Sequence, residues 1–133
     1  IEHNLPIIVN DSKKIAELHE VRKDCKKLRY LLELLPENND KDQRSEKDNY
    51  VSVLMEKLEN VQDSLGLIHD YDMIVAYLKR HKGRGTRSTL LHSLLAKVSR
   101  ERQNKYEEFV KSVTRDLSSY SNDFFIRTTD VLA

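Results

Sequence analysis

Glycine and proline are scarce in this 133-residue chain, three of one and two of the other, and aromatic residues make up only 7% of it. So little turn chemistry leaves small room for a strand-rich fold, whereas 34% charged residues amid many leucines suit long helices. The single cysteine, Cys25, excludes an internal disulfide and fits a reducing compartment. No apolar run approaches the roughly 20 residues that a membrane-crossing helix needs, and no signal-peptide pattern opens the sequence. An excess of one charge is lacking too. The net charge is +1, so any attraction for anions must come from where the cations sit. At this length the chain is expected to be one domain, residues 1–133, with a single core. Ile1 in place of Met is expected of a portion of a longer protein.

Hydrophobic spacing predicts four helices and no strand of weight. Residues 1–10 read as extended, held by Pro6 and the short "PIIV" run. Asp11 or Ser12 is expected to cap the first helix. Its seam of Ile15, Leu18, Val21, Cys25, Leu28, Leu32 and Leu35 alternates steps of three and four until Pro36 stops it. A polar loop is expected over residues 37–48. A second helix then begins near Ser45 with Val51, Leu54, Leu58, Val61 and Leu65 inward, and Gly66 is expected to end it in the left-handed conformation. His69 or Asp70 lies near the start of a third, shorter helix bearing Ile74, Val75 and Leu78. "KRHKGRGTR" breaks the chain at Gly83 and Gly85. A fourth helix follows from about Ser88 to Leu117, with Leu91, Leu94, Leu95, Val98, Tyr106, Phe109, Val113 and Leu117 inward. Phe124, Phe125 and Ile126 in the tail are available to dock on a bundle or on a partner. The expected fold is all-α, an antiparallel four-helix bundle.

The stretch "LHEVRKDCKKLRYLLELLP", Leu18 to Pro36, crowds cations beside its seam. Residues three or four apart on a helix are surface neighbours, so His19, Arg22, Lys26 and Arg29 form one stripe, with Lys23 and Lys27 extending it outwards. Glu20 and Asp24 are expected on other faces and Glu33 one turn beyond. Such like charges repel unless an anion, or carboxylates from neighbouring helices, lie between them, and guanidiniums grip phosphate oxygens with paired donors. The alternative is a solvated face laced to acidic partners. His19 alone reads equally as a structural histidine, and no second ligand at metal spacing accompanies it. Cys25 falls on the seam as a small buried hydrophobe. Arg102 interrupts the fourth helix's seam, either facing the same surface as the stripe or marking where the seam drifts. The basic loop at 79–87 is either solvated or an extension of a binding surface, and its glycines form no P-loop.

"LHEVRKDCKKLRYLLELL" resembles the signature helix LHxxRxxxKKxRYxxELL of the conserved histidine α-helical (CHAD) domain family. "LENVQDSLGLIHDYDMIVAYL" is similar to that family's second motif, LxxLQDxLGxxxDxxVxxxxL. The resemblance spans about Leu18 to Leu78 and puts His19, Arg22, Lys26, Lys27, Arg29, Tyr30, Leu65, Gly66 and Asp70 on motif positions. It implies two related four-helix bundles around a basic channel that binds inorganic polyphosphate. This chain has one bundle's worth of helices, and "KKLRY" is the form of the second repeat. The expectation is therefore a C-terminal half-domain, completed by an N-terminal bundle or by another copy.

The function expected on this basis is non-enzymatic binding of inorganic polyphosphate, with no cofactor and no metal. His19, Arg22, Lys26 and Arg29 would contact phosphate, with Lys23, Lys27 and Arg102 behind them. Asp70 would orient a cation or cap the third helix. Phosphoanhydride hydrolysis would need a carboxylate cluster that the stripe does not supply. Nucleic acid offers similar charge, yet the stripe lacks exposed aromatics interleaved with its cations. Docking of an acidic protein is a further alternative. The expected location is the cytoplasm, at polyphosphate granules.

Overall fold

Proline at the first turn of a helix costs no hydrogen bond, because its missing N–H would be unpaired there anyway. That is how Pro6 acts in the computed structural model, which describes residues 1–36, 46–81 and 85–119. Helix α1 spans Leu5–Asn10 where an extended segment was expected, α2 Ile15–Glu33, α3 Glu46–Arg80 and α4 Thr86–Ser119. The chain is all-α, its four helices consistent with the expected bundle, and no strand occurs among the described residues. Of the expected polar loop, residues 46–48 form the first turn of α3, and 37–45 lie outside the described residues, as do 82–84 and the tail with Phe124, Phe125 and Ile126.

The largest departure is at Gly66, which does not end a helix. Residues expected to form a second and a third helix make one α3 of 35 residues, about 52 Å at 1.5 Å per residue. Gly85, not Gly66, has the left-handed backbone, φ 62°, in the turn before α4. The seam explains the continuity: Leu54, Leu58, Leu65 and Ile68 are all buried, at helical steps of four, seven and three that carry past the glycine. End charges agree, since Glu46 and Asp48 occupy the first turn and Lys79 and Arg80 the last, matching one helix dipole. Neither His69 nor Asp70 caps anything. Nor do Asp11 and Ser12 cap α2, whose N-cap is Lys14. Asp11 instead accepts a bond from the Lys13 N–H at 2.9 Å, a local turn.

A glycine inside a helix costs about 0.5–1 kcal/mol relative to alanine. A Cβ built on Gly66 would meet Arg22 Nε at 3.6 Å, an ordinary contact. Gly66→Ala is therefore expected to raise stability by about 0.5–1 kcal/mol in chemical denaturation. A loss of that size would show that the fold itself needs the gap.

Pairs across the helices fix their direction. His19 lies against His69 and Arg22 against Gly66, so α2 and α3 run antiparallel. The ion pairs Arg102–Asp72 and Lys57–Asp116 do the same for α3 and α4. Leu18, Val21, Cys25 and Leu32 of α2 meet Leu54, Leu58, Leu65 and Ile68 of α3 and Tyr106, Phe109 and Val113 of α4 in one core, with Leu5 and Ile8 of α1 closing it. Each large side chain buried there contributes about 1.5–3 kcal/mol. The Tyr106 hydroxyl donates to the Ile8 carbonyl at 2.6 Å, with the Val9 carbonyl at 3.1 Å, and so binds the end of α1 to α4.

Beyond the start of α2, only α3 and α4 continue among the described residues. Leu91, Leu95 and Val98, expected inward, are half-buried there, and Leu94 is 46% exposed. Ile15, at the α2 end of this step, is 50% exposed for the same reason. No third helix of the described residues reaches them.

Candidate functional site

α2 places His19, Arg22, Lys26 and Arg29 in one stripe, one turn apart, with His19 and Arg22 against α3. Their partners are few. No hydrogen bond or ion pair engages Arg22, Lys26 or Lys27 among the described residues, and Nε of Arg22 and Nδ1 of His19 are buried with no partner. Arg29 Nε lies 3.5 Å from Glu33 Oε1, close enough for charge attraction, yet it makes no hydrogen bond. Gln62 Oε1, on α3, is likewise buried without a partner. Oxygen and nitrogen of an amide exchange by a flip, so this position can equally turn donors to the same space.

An unpaired buried donor costs about 1–3 kcal/mol, more when charged. The two guanidinium Nε atoms are donors of this kind, and Nδ1 of His19 becomes one when it carries a proton, so the stripe is short of acceptors. Lys23 is different, because its ammonium pairs with Glu20, which does not turn to another face as expected. Asp24 points to the Ile1 ammonium at 3.1 Å, away from the stripe.

Tyr30 corrects the expectation that no exposed aromatic accompanies these cations. It is half-exposed, with the Arg29 guanidinium 5.2 Å and the Lys26 ammonium 5.7 Å from its ring centre.

Arg102 sits elsewhere. It is 9% exposed, its Nε donates to Asp72 Oδ1 at 2.8 Å, and its guanidinium lies 5.8 Å from the Tyr106 ring centre. Asp72 occupies the α3 seam beyond Ile68, so the pair bridges α3 and α4 inside the bundle. Asp70 is exposed and joins neither Arg22 nor any helix start. Cys25 is buried, and burial, with the Asp24 charge adding to it and the terminal ammonium opposing it, pushes its thiol up to about 11, which keeps it protonated and inert. Among the described residues no three of His, Cys, Asp and Glu stand together in a way that could hold a metal ion.

His69 is the site residue that spacing did not single out. Its ring stacks on His19 with centroids 5.0 Å apart and planes at 28°. Had α3 been read as continuous, His69 would have fallen one turn after Gly66 on the wall facing α2.

The CHAD domain family model matches residues 7–79, more than half of the 133. The chain belongs to the CHAD domain family. The match takes in the last four residues of α1, all of α2 and nearly all of α3, and so both helix faces that carry His19, Arg22, Gly66 and His69. α4, with Arg102, lies outside it. No curated protein and no solved structure matches this CHAD chain. Among the described residues, no helix is long and apolar enough to cross a membrane.

Proposed function

We propose that this CHAD chain binds inorganic polyphosphate, without catalysing its hydrolysis, along the groove between α2 and α3. The observation that carries the reading is the set of buried nitrogens without a hydrogen bond: Nδ1 of His19, Nε of Arg22 and Nε of Arg29. A polyphosphate supplies acceptor oxygens and negative charge at every repeat, which is what a row of unpaired donors and cations lacks. Family membership supports the same ligand, since CHAD domains are known for binding polyphosphate. In this reading His19, Arg22, Lys26 and Arg29 contact the ligand, Lys27 adds charge from the rim, and Lys23 contributes less because Glu20 already holds it. Arg102 is left out of the contact set on account of its bond to Asp72. A second bundle, from an N-terminal repeat or another copy, would complete the channel, with the cytoplasm and its polyphosphate granules as the setting.

Nucleic acid is the second reading, favoured by Tyr30 among the cations. Lys26 and Arg29 already lie against that one ring, however, and a stacking platform needs several. The test is competition of long-chain polyphosphate, single-stranded DNA and ATP for the same protein at several salt concentrations. Polyphosphate is expected to win, with log affinity falling linearly in log salt as counterions are released. Equal affinity for DNA, or indifference to salt, would overturn the polyphosphate reading.

A further inference from the structure

Gly66 leaves the α3 wall opposite Arg22 as bare backbone. His69 stands on the same face one turn after that gap and Gln62 one turn before it. His69 stacks on His19, whose Nδ1 is buried without a partner. Two imidazoles this close repel each other when both carry a proton. The carboxylates around them do not relieve that. Glu20 is held by Lys23 on α2, and Asp72 on α3 is held by Arg102, the charged group that α4 brings to this level. Asp70 is exposed and, as the next residue in the helix, projects about 100° around the axis from His69. Arg22, one turn along α2, adds a further positive charge. The protein thus provides two adjacent proton acceptors and leaves the charge of the second proton without a counter-ion.

We propose that His69 is an anion-binding residue acting with His19 and Arg22, and that phosphate oxygens held at the Arg22 guanidinium are the counter-ion that lets both stacked imidazoles be protonated. The inference rests on the polyphosphate reading of the groove and adds to it a residue from the opposite wall and a dependence on pH. Binding is coupled to proton uptake, so affinity rises as pH falls. An imidazole whose titration midpoint the ligand raises by one unit contributes up to about tenfold tighter binding below both midpoints.

Long-chain polyphosphate is the suitable probe, because its internal phosphates stay ionised across that range. Titrations at about pH 6 and about pH 8 would compare the wild-type protein with His69→Gln and Arg22→Ala, covering both sides of the imidazole range. The wild type is expected to bind roughly tenfold tighter at the lower pH, and His69→Gln to lose most of that acid gain. In the wild-type protein, NMR titration midpoints of His19 and His69 should both rise when polyphosphate is added, and by more than that of His92, exposed on α4. This second measurement decides the matter if His69→Gln fails to fold. Binding that needs Arg22 but has the same pH profile in His69→Gln, or unmoved His69 midpoints, would overturn the role of His69 and leave the polyphosphate reading standing. Absence of polyphosphate binding by the wild type at both pH values would overturn the two together.

Discussion

Arg22→Ala is expected to weaken polyphosphate binding by about 1–3 kcal/mol, the worth of a hydrogen bond to a charged group, or roughly five- to 150-fold. Stability should hold or rise, because the change removes an unpaired buried donor and relieves like-charge repulsion along the stripe. The asymmetry follows from the guanidinium's surroundings: its Nε has no acceptor in the protein, so removing it strands nothing. Some packing of the aliphatic stem against the Gly66 gap is lost with alanine, and Arg22→Met controls for that by keeping the stem without the charge. Thermal unfolding and polyphosphate titration of the two variants side by side make the measurement. A stability loss of roughly 3–5 kcal/mol with unchanged affinity per folded molecule would mean that Arg22 serves a buried carboxylate, against the binding-site reading.

The opposite pattern is expected at the ion pair inside the bundle. Asp72→Ala leaves the Arg102 guanidinium buried and uncompensated, and should destabilise by about 3–5 kcal/mol. Replacing both, as Arg102→Met with Asp72→Leu, should recover most of that loss, because two apolar side chains of similar size need no partner there. Denaturant unfolding of the single and double variants forms a double-mutant cycle that isolates the pair. Polyphosphate affinity per folded molecule should be unchanged in the double variant. A fall in affinity there would return Arg102 to the ligand surface.

Where sequence reading succeeded, one periodic pattern was enough. Of the seven positions on the α2 seam, Leu18, Val21, Cys25 and Leu32 are buried, Leu28 and Leu35 are partly buried against the core, and Ile15 is exposed. α4 runs Thr86–Ser119 against an expected start near Ser88 and end near Leu117. Reading failed where a local rule competed with a longer pattern. Glycine is a good helix terminator, but Leu58, Leu65 and Ile68 bury one uninterrupted seam, and that packing outweighs the modest cost of a glycine within it. Pro6 reads as a mark of extended chain, yet its position suits a helix's first turn. The cationic stripe was legible because it lies within one helix. The His19–His69 stack and the Arg102–Asp72 pair were not, since each joins two helices and depends on their relative register.

The unbroken course of α3 also bears on what association would cost. Gln62, Gly66 and His69 lie on one helical rod, and α2, packed on it through a shared core, holds Arg22 and His19 opposite. No hinge separates the two halves of that wall, so the rungs keep their spacing before any ligand arrives. A cleft preorganised in this way pays little conformational entropy on its own side. The ordering cost would fall on the polyanion, a flexible chain that must straighten to follow a rigid track.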